Sequence, residues 1–297
     1  MLQGLLLALA AYASYSTSDA LIKFSGGSAG VFEIGFFVSL FSIIPWAISR
    51  PADEPWRQMF KMNRPLLVHL RGVCSLIASI MSIYAFTHIP MAEAYALIFL
   101  VPLAVTILSV LILHEPVGWR RWLAVVGGFI GILLVVRPGF REITLAHAAG
   151  LGVAIFGGLN VVLMRQLASS ETRTTLMAIL VAYMLAAYFF LMLPGFVWPD
   201  PVTMLALAAC GCASGLGHVL ILAATRKIPA NRVAPMQYSQ IVWALILGAV
   251  FFAEFPDSFT YIGLAVVAGS GFFTFLREGA RFGWKSKAPI LHNRPRF

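Results

Sequence analysis

Arg71, Ser75 and Ser79 recur every four residues within an otherwise apolar stretch, and Ser82 extends the line. On a helix that spacing puts the polar groups on one face. The pattern returns 139 residues later as Cys210, Ser214 and His218. Two matched polar seams can line a shared cavity that holds a polar solute. Small Ser and Cys side chains equally permit close helix packing, as do Gly211, Gly215 and Gly217 beside them. His218 stands apart, because an imidazole inside an apolar helix is costly to desolvate and titrates near neutrality when unperturbed. It reads as a proton carrier, as a group that hydrogen-bonds cargo, or as a core histidine satisfied by a backbone carbonyl.

Tyr12, Tyr15, Ser16, Asp19 and Lys23 share a second face, with Asp19 and Lys23 one turn apart where they can pair. Lys23 is also near enough to its helix end to snorkel to the interface. The matching segment of the second half carries Asn160 and Arg165, at offsets of 141 and 142. A charge at mid-membrane costs about 2.5 to 3.5 kcal/mol on insertion scales, so these groups should face protein or water. Glu33 and Glu93 open two further apolar stretches and either gate a site or only solvate its rim. Six of the seven tryptophans fall at span ends, in loops or in the tail, as an aromatic belt does; Trp243 is the exception. A planar cargo could stack on Trp243 while Gln237, Tyr238 or Gln240 hydrogen-bonds it, and Trp243 could equally be packing. Tyr95 and Tyr84 are further aromatic candidates.

The elements that position these groups are set by composition. With 60% apolar and 11% charged residues, most of the chain is solvated by lipid. Apolar stretches run near 2–24, 30–49, 66–88, 91–113, 119–136, 147–168, 174–193, 202–225, 231–253 and 258–276. Each is long enough to cross roughly 30 Å of hydrocarbon. None alternates with period two, so all ten read as helices. Placing the N-terminus in the cytoplasm puts 18 of the 21 Lys and Arg on that side, including the tail from Arg277 to Arg296, as retention of basic loops requires. The net charge of +9 is thus mostly topology, and the tail meets anionic lipid rather than nucleic acid. Cys74, Cys210 and Cys212 lie inside spans and read as packing residues, not as disulfides or metal ligands. The first stretch has no basic n-region or cleavage site and reads as a retained span.

One passage is written twice. His88-Ile89-Pro90, an apolar helix, Glu115 and Leu-Ala-Val-Val-Gly-Gly (123–128) reappear as Lys227-Ile228-Pro229, an apolar helix, Glu254 and Leu-Ala-Val-Val-Ala-Gly (264–269). Five spans per copy is an odd number, so the copies enter the membrane from opposite sides, a frequent plan of secondary transporters. The two glutamates sit at span ends and read as architecture, pairing with Arg120 or Arg121 or capping a helix. No phosphate-cradling loop, zinc-protease motif or nucleophile elbow occurs, which disfavours an ATP-driven pump, a hydrolase and any cofactor.

At Tyr-Ala-Phe-Thr-His-Ile-Pro (84–90), Pro102, His-Glu-Pro-Val-Gly-Trp-Arg-Arg-Trp (114–122) and Val-Arg-Pro-Gly (136–139) the chain resembles the EamA-type family of the drug/metabolite transporter superfamily. Ala-Pro-Met-Gln-Tyr-Ser-Gln (234–240) and Glu254 continue the likeness, which runs to about residue 276. One departure is Ile241, which stands where Pro102 aligns and argues against symmetric hinging of spans four and nine. The resemblance implies a carrier, favours export across a bacterial inner membrane and names no cargo. The expectation is an all-α membrane protein of ten transmembrane helices. They form two inverted five-helix repeats, 1–139 and 140–276, before a basic cytoplasmic tail, 277–297. A small polar or amphipathic metabolite crosses between the halves by alternating access, with a lipid flippase or an intramembrane transferase or hydrolase as the rivals.

Overall fold

The computed structural model describes residues 2–49, 61–113, 118–137, 142–167, 170–228 and 233–285. Every regular element among them is helical. In chain order these are α1 (Leu2–Ser25), α2 (Val31–Ser49), α3 (Pro65–His88), α4 (Met91–Ile98), α5 (Val101–Leu113) and α6 (Trp119–Val136). The second half supplies α7 (Leu145–Leu167), α8 (Arg173–Met192), α9 (Pro201–Lys227), α10 (Ser239–Phe252) and α11 (Ser258–Lys285). Seven described spans are long and apolar enough to cross a bilayer, counting Met91–Ile112 as one, and three shorter apolar helices, Trp122–Val136, Met236–Phe252 and Ser258–Ser270, join them. Helix is what a lipid-solvated backbone requires, since every internal N–H then finds a carbonyl in its own segment. The last helix continues past the expected boundary at 276 to Lys285, and residues 286–297 of the expected tail lie outside the described set, as does Glu115.

The duplicated Ile-Pro steps do the same local work. Ile89 (φ −125°, ψ 162°) and Ile228 (φ −138°, ψ 151°) are both extended, because a following proline excludes the α conformation, and each ends its helix with a backbone bond to residue i−4. The fourth span then breaks between α4 and α5 at Phe99–Leu100, where Pro102 has no N–H to offer the carbonyl of Ile98. The ninth breaks too. A 3₁₀ turn over Ala234–Tyr238 precedes α10, although Ile241 replaces the proline, so the second break is the tight turn itself. The asymmetry expected of Ile241 therefore lies in the cause of the break and not in its existence.

Packing is cross-paired between the halves: α1 lies on α9, α3 on α7, and α6 on α11. Glycines set how closely. A Cβ at Gly211 would stand 2.6 Å from Phe41 Cβ and one at Gly215 2.8 Å from Pro45 Cγ, so α9 reaches α2 through them, while Gly217 takes the Tyr15 ring of α1. Around α4 the core is densest, with Met91, Tyr95 and Leu97 all buried.

Candidate functional site

Tyr95 is only 2% exposed and brings together three of the sequence candidates and one residue the sequence did not single out for binding. Its hydroxyl hydrogen-bonds the Asp19 carboxylate, lies 3.1 Å from Ser16 Oγ, and accepts from Gln240 Nε2 at 3.4 Å. Asp19 and Ser16 come from α1, Tyr95 from α4 and Gln240 from α10, the helix after the second break. One phenolic hydrogen serves Asp19 or Ser16, not both, so the network has two hydrogen-bond states that a proton on Asp19 would exchange. The ring itself belongs to a ladder: Phe86 meets it edge-on at 5.2 Å, Phe99 stacks on it at 5.9 Å, and Tyr238 stacks on Phe99 at 5.4 Å. The arrangement is a polar floor on an aromatic wall at the junction of both broken spans. Gln237 sits in the adjoining 3₁₀ turn.

Lys23 corrects an expectation. It does not pair with Asp19 one turn away but with Glu254, at 2.8 Å, and also donates to Ile89 O at 2.7 Å. Glu254 Oε2 accepts from Met91 N at 2.9 Å, capping α4, so the second repeat marker ties α1, α4 and the end of α10 together. Its carboxylate is aimed there by Ala253, which takes the left-handed conformation (φ 53°). Asp19 is left with no ion-pair partner among the described residues.

The other acidic candidates are tied down at the same end. Glu33 accepts from Gly30 N and Val197 N, both at 2.8 Å. Glu93 meets His147 Nε2 at 3.1 Å; His147 Nδ1 accepts from Thr144 N, so Nε2 carries the hydrogen and donates. Reading the sequence missed His147, because its partner lies 54 residues away and nothing local marks it. Outside the spans, Asp257 binds Thr260 N at 3.0 Å and Oγ1 at 2.8 Å and pairs with Arg137, which hold its carboxyl down at about 2.

The α3 and α9 seams separate. Ser79 bonds Tyr188 Oη at 2.7 Å and Arg71 Nη1 donates to Leu176 O at 3.0 Å, while Ser75 is buried. Asn160 is on α7, which packs on α3, away from the Tyr95 network. His218 bonds Ser214 O at 3.0 Å and meets Tyr15 edge-on at 5.2 Å. It lies on the helix face of Cys210 and Ser214 yet is exposed. Trp243 stands apart from the site: at 36% exposure it sides with Val242, Ile246 and Val250, opposite the buried Gln240, Ile241 and Ala244. The stacked rings of this region are Tyr95, Phe99 and Tyr238.

Comparison with known proteins fits a membrane carrier. Residues 2–137 and 144–276 each match the EamA-like transporter family. The chain belongs to the EamA-like transporter family, and is thus a small-molecule transporter of the drug/metabolite type embedded in a membrane, not an enzyme. It is 26% identical to an S-adenosylmethionine uptake transporter of Rickettsia felis, over 89% of this chain and 90% of that one. It is 30% identical to a pseudopaline exporter of Pseudomonas aeruginosa, over 89% and 94%. A solved crystal structure shares the fold, with a TM-score of 0.64 at 18% identity over 94% of this chain and 98% of that one.

Proposed function

We propose that the protein is a secondary carrier working by alternating access, with ten spanning helices arranged as two inverted repeats, 1–139 and 140–276, and both termini in the cytoplasm of a bacterium. The cross-pairing of α1 with α9 and α3 with α7, which exchanging the halves leaves unchanged, supports the inverted plan. The cargo is a small polar or amphipathic metabolite bound at Asp19, Tyr95 and Gln240 against the aromatic ladder. The observation that carries this reading is the Asp19 carboxylate itself, half-buried in the bundle beside two helix breaks and left without a cation among the described residues because Lys23 turns to Glu254. A charge so placed is kept for cargo or for a proton. Export is the favoured direction, coupled to proton entry through Asp19, and Lys23, Glu33 and Glu93 hold the outer gate; the relatives' names include both uptake and export. The test is to load proteoliposomes with amino acids, nucleosides, vitamins and polyamines and measure by mass spectrometry what leaves, with and without a pH gradient. Selective loss of one unmodified solute supports the carrier; no loss, or new products, overturns it.

A further inference from the structure

Arg71 is 6% exposed, on the third residue of the second turn of α3, and makes one hydrogen bond, from Nη1 to the Leu176 carbonyl of α8 at 3.0 Å. Nε is buried with no partner, and no bond is made by Nη2 to any described residue. No described carboxylate pairs with it: Glu171, on the approach to α8, accepts at Oε1 from Asn63 N at 2.8 Å and Arg64 N at 2.6 Å, and its Oε2 is buried without a partner, Arg71 included. One turn further along the same face, Ser75 is 7% exposed, and its Oγ is also buried without a partner. It does not even bond the Arg71 carbonyl, the usual resort of a helical serine.

The second half shows the satisfied form of this contact. Cys210 Sγ bonds Ser18 O at 3.3 Å and Ser18 Oγ at 3.2 Å where α9 packs on α1. At an offset of 139 Cys210 corresponds to Arg71 on α3, which packs on α7, and Asn160 Oδ1 of α7 is a third buried orphan. What α1 and α9 settle between themselves is left open between α3 and α7, and the open side carries a full positive charge.

We infer that Arg71 and Ser75 form an oxyanion-binding site, taking a carboxylate or phosphate group. The edge of a guanidinium formed by Nε and Nη2 presents two parallel N–H donors, which match two oxygens of such a group, and Ser75 Oγ supplies a third donor. A buried guanidinium with no counter-charge among the described residues is costly to keep in a membrane bundle unless an anion completes it. That anion is either a group on a free solute, the cargo included, or the phosphate of a lipid. The inference rests on the carrier reading only for the anion's part in transport; the site stands on its own geometry.

The full chain in detergent is titrated with sodium phosphate and with sodium acetate, with sodium chloride holding ionic strength, and its thermal stability is recorded. A second arm uses nanodiscs of phosphatidylcholine with and without phosphatidylglycerol and no added oxyanion. Saturable stabilisation in the first arm identifies a free oxyanion, and stabilisation by phosphatidylglycerol alone identifies a lipid phosphate. Either effect is lost in Arg71→Gln. In Arg71→Lys, which keeps the charge but not the fork, binding weakens about tenfold; Ser75→Ala weakens it less. No saturable stabilisation in either arm, or stabilisation that Arg71→Gln retains, overturns the site. Where Arg71→Gln does not fold, unchanged binding in both Arg71→Lys and Ser75→Ala overturns it. A protein that binds the anion yet moves no solute would count against the carrier alone.

Discussion

Phe99 and Tyr238 occupy the same position in the two halves of the sequence, 139 residues apart, and their rings stack at 5.4 Å and 23°. Each ends the segment where its span breaks, so the two breaks meet face to face. Tyr95, one turn before Phe99, carries the ladder to Asp19. A change of angle at either break would therefore be felt at the carboxylate through these ring contacts.

Asp19→Asn keeps the size of the side chain and its bond from Tyr95 but removes the charge. Flux in proteoliposomes falls by more than about tenfold, the loss of a charge-assisted contact, while the melting temperature stays close to that of the unaltered chain. Undiminished flux with an undiminished pH-gradient effect would take Asp19 out of the mechanism.

Breaking the Lys23–Glu254 pair strands a shielded charge. Lys23→Gln or Glu254→Gln alone costs about 3 kcal/mol, and the double variant recovers part of it. A double-mutant cycle on unfolding in detergent measures the coupling, and additive losses would show that the pair acts only as two separate caps.

Gly211→Ala sets a Cβ 2.6 Å from Phe41 Cβ and 2.7 Å from Val38 O, and a backbone oxygen cannot rotate away. The helix α9 must shift from α2, at about 1 to 3 kcal/mol. The melting temperature should drop, and by more than for Gly195→Ala, whose Cβ meets nothing within 4 Å.

Asp257 is held below its ordinary value of 3.8, at about 2, by Thr260 first and Arg137 after it. A lowered carboxyl binds its proton less readily folded than unfolded, so its contribution is complete above 3.8 and disappears as pH falls towards 2. Asp257→Asn should flatten that part of the acid stability profile by lowering stability in the neutral range, where the contribution is complete, with the two proteins converging as pH falls towards 2. An unchanged profile refutes the assignment.

Trp243→Ala should leave the apparent affinity for cargo intact, since the indole lies on the face of Val242 and Ile246, whereas Tyr238→Ala weakens it. Equal losses in the two would return Trp243 to the site.

Local chemistry wrote the parts that the sequence alone determined. Length and apolarity make helices in lipid, Ile89 and Ile228 are extended because prolines follow them, and Pro102 breaks its span wherever that span is placed. Asp19, Tyr95 and Gln240 were recognisable singly as polar groups in apolar runs, but their meeting was not, because they come from three helices. Only the tertiary structure decided that Lys23 prefers Glu254, 231 residues on, to Asp19 one turn away, since an ion pair needs an approach distance and not a spacing. The side of α10 that carries Trp243 was equally hidden. Lipid and core are both apolar, so a span apolar all round does not reveal which face looks inward. The same reasoning leaves Arg71 plain in the sequence as a charge within a span, and its unclaimed Nε edge plain only once α8 had taken Nη1.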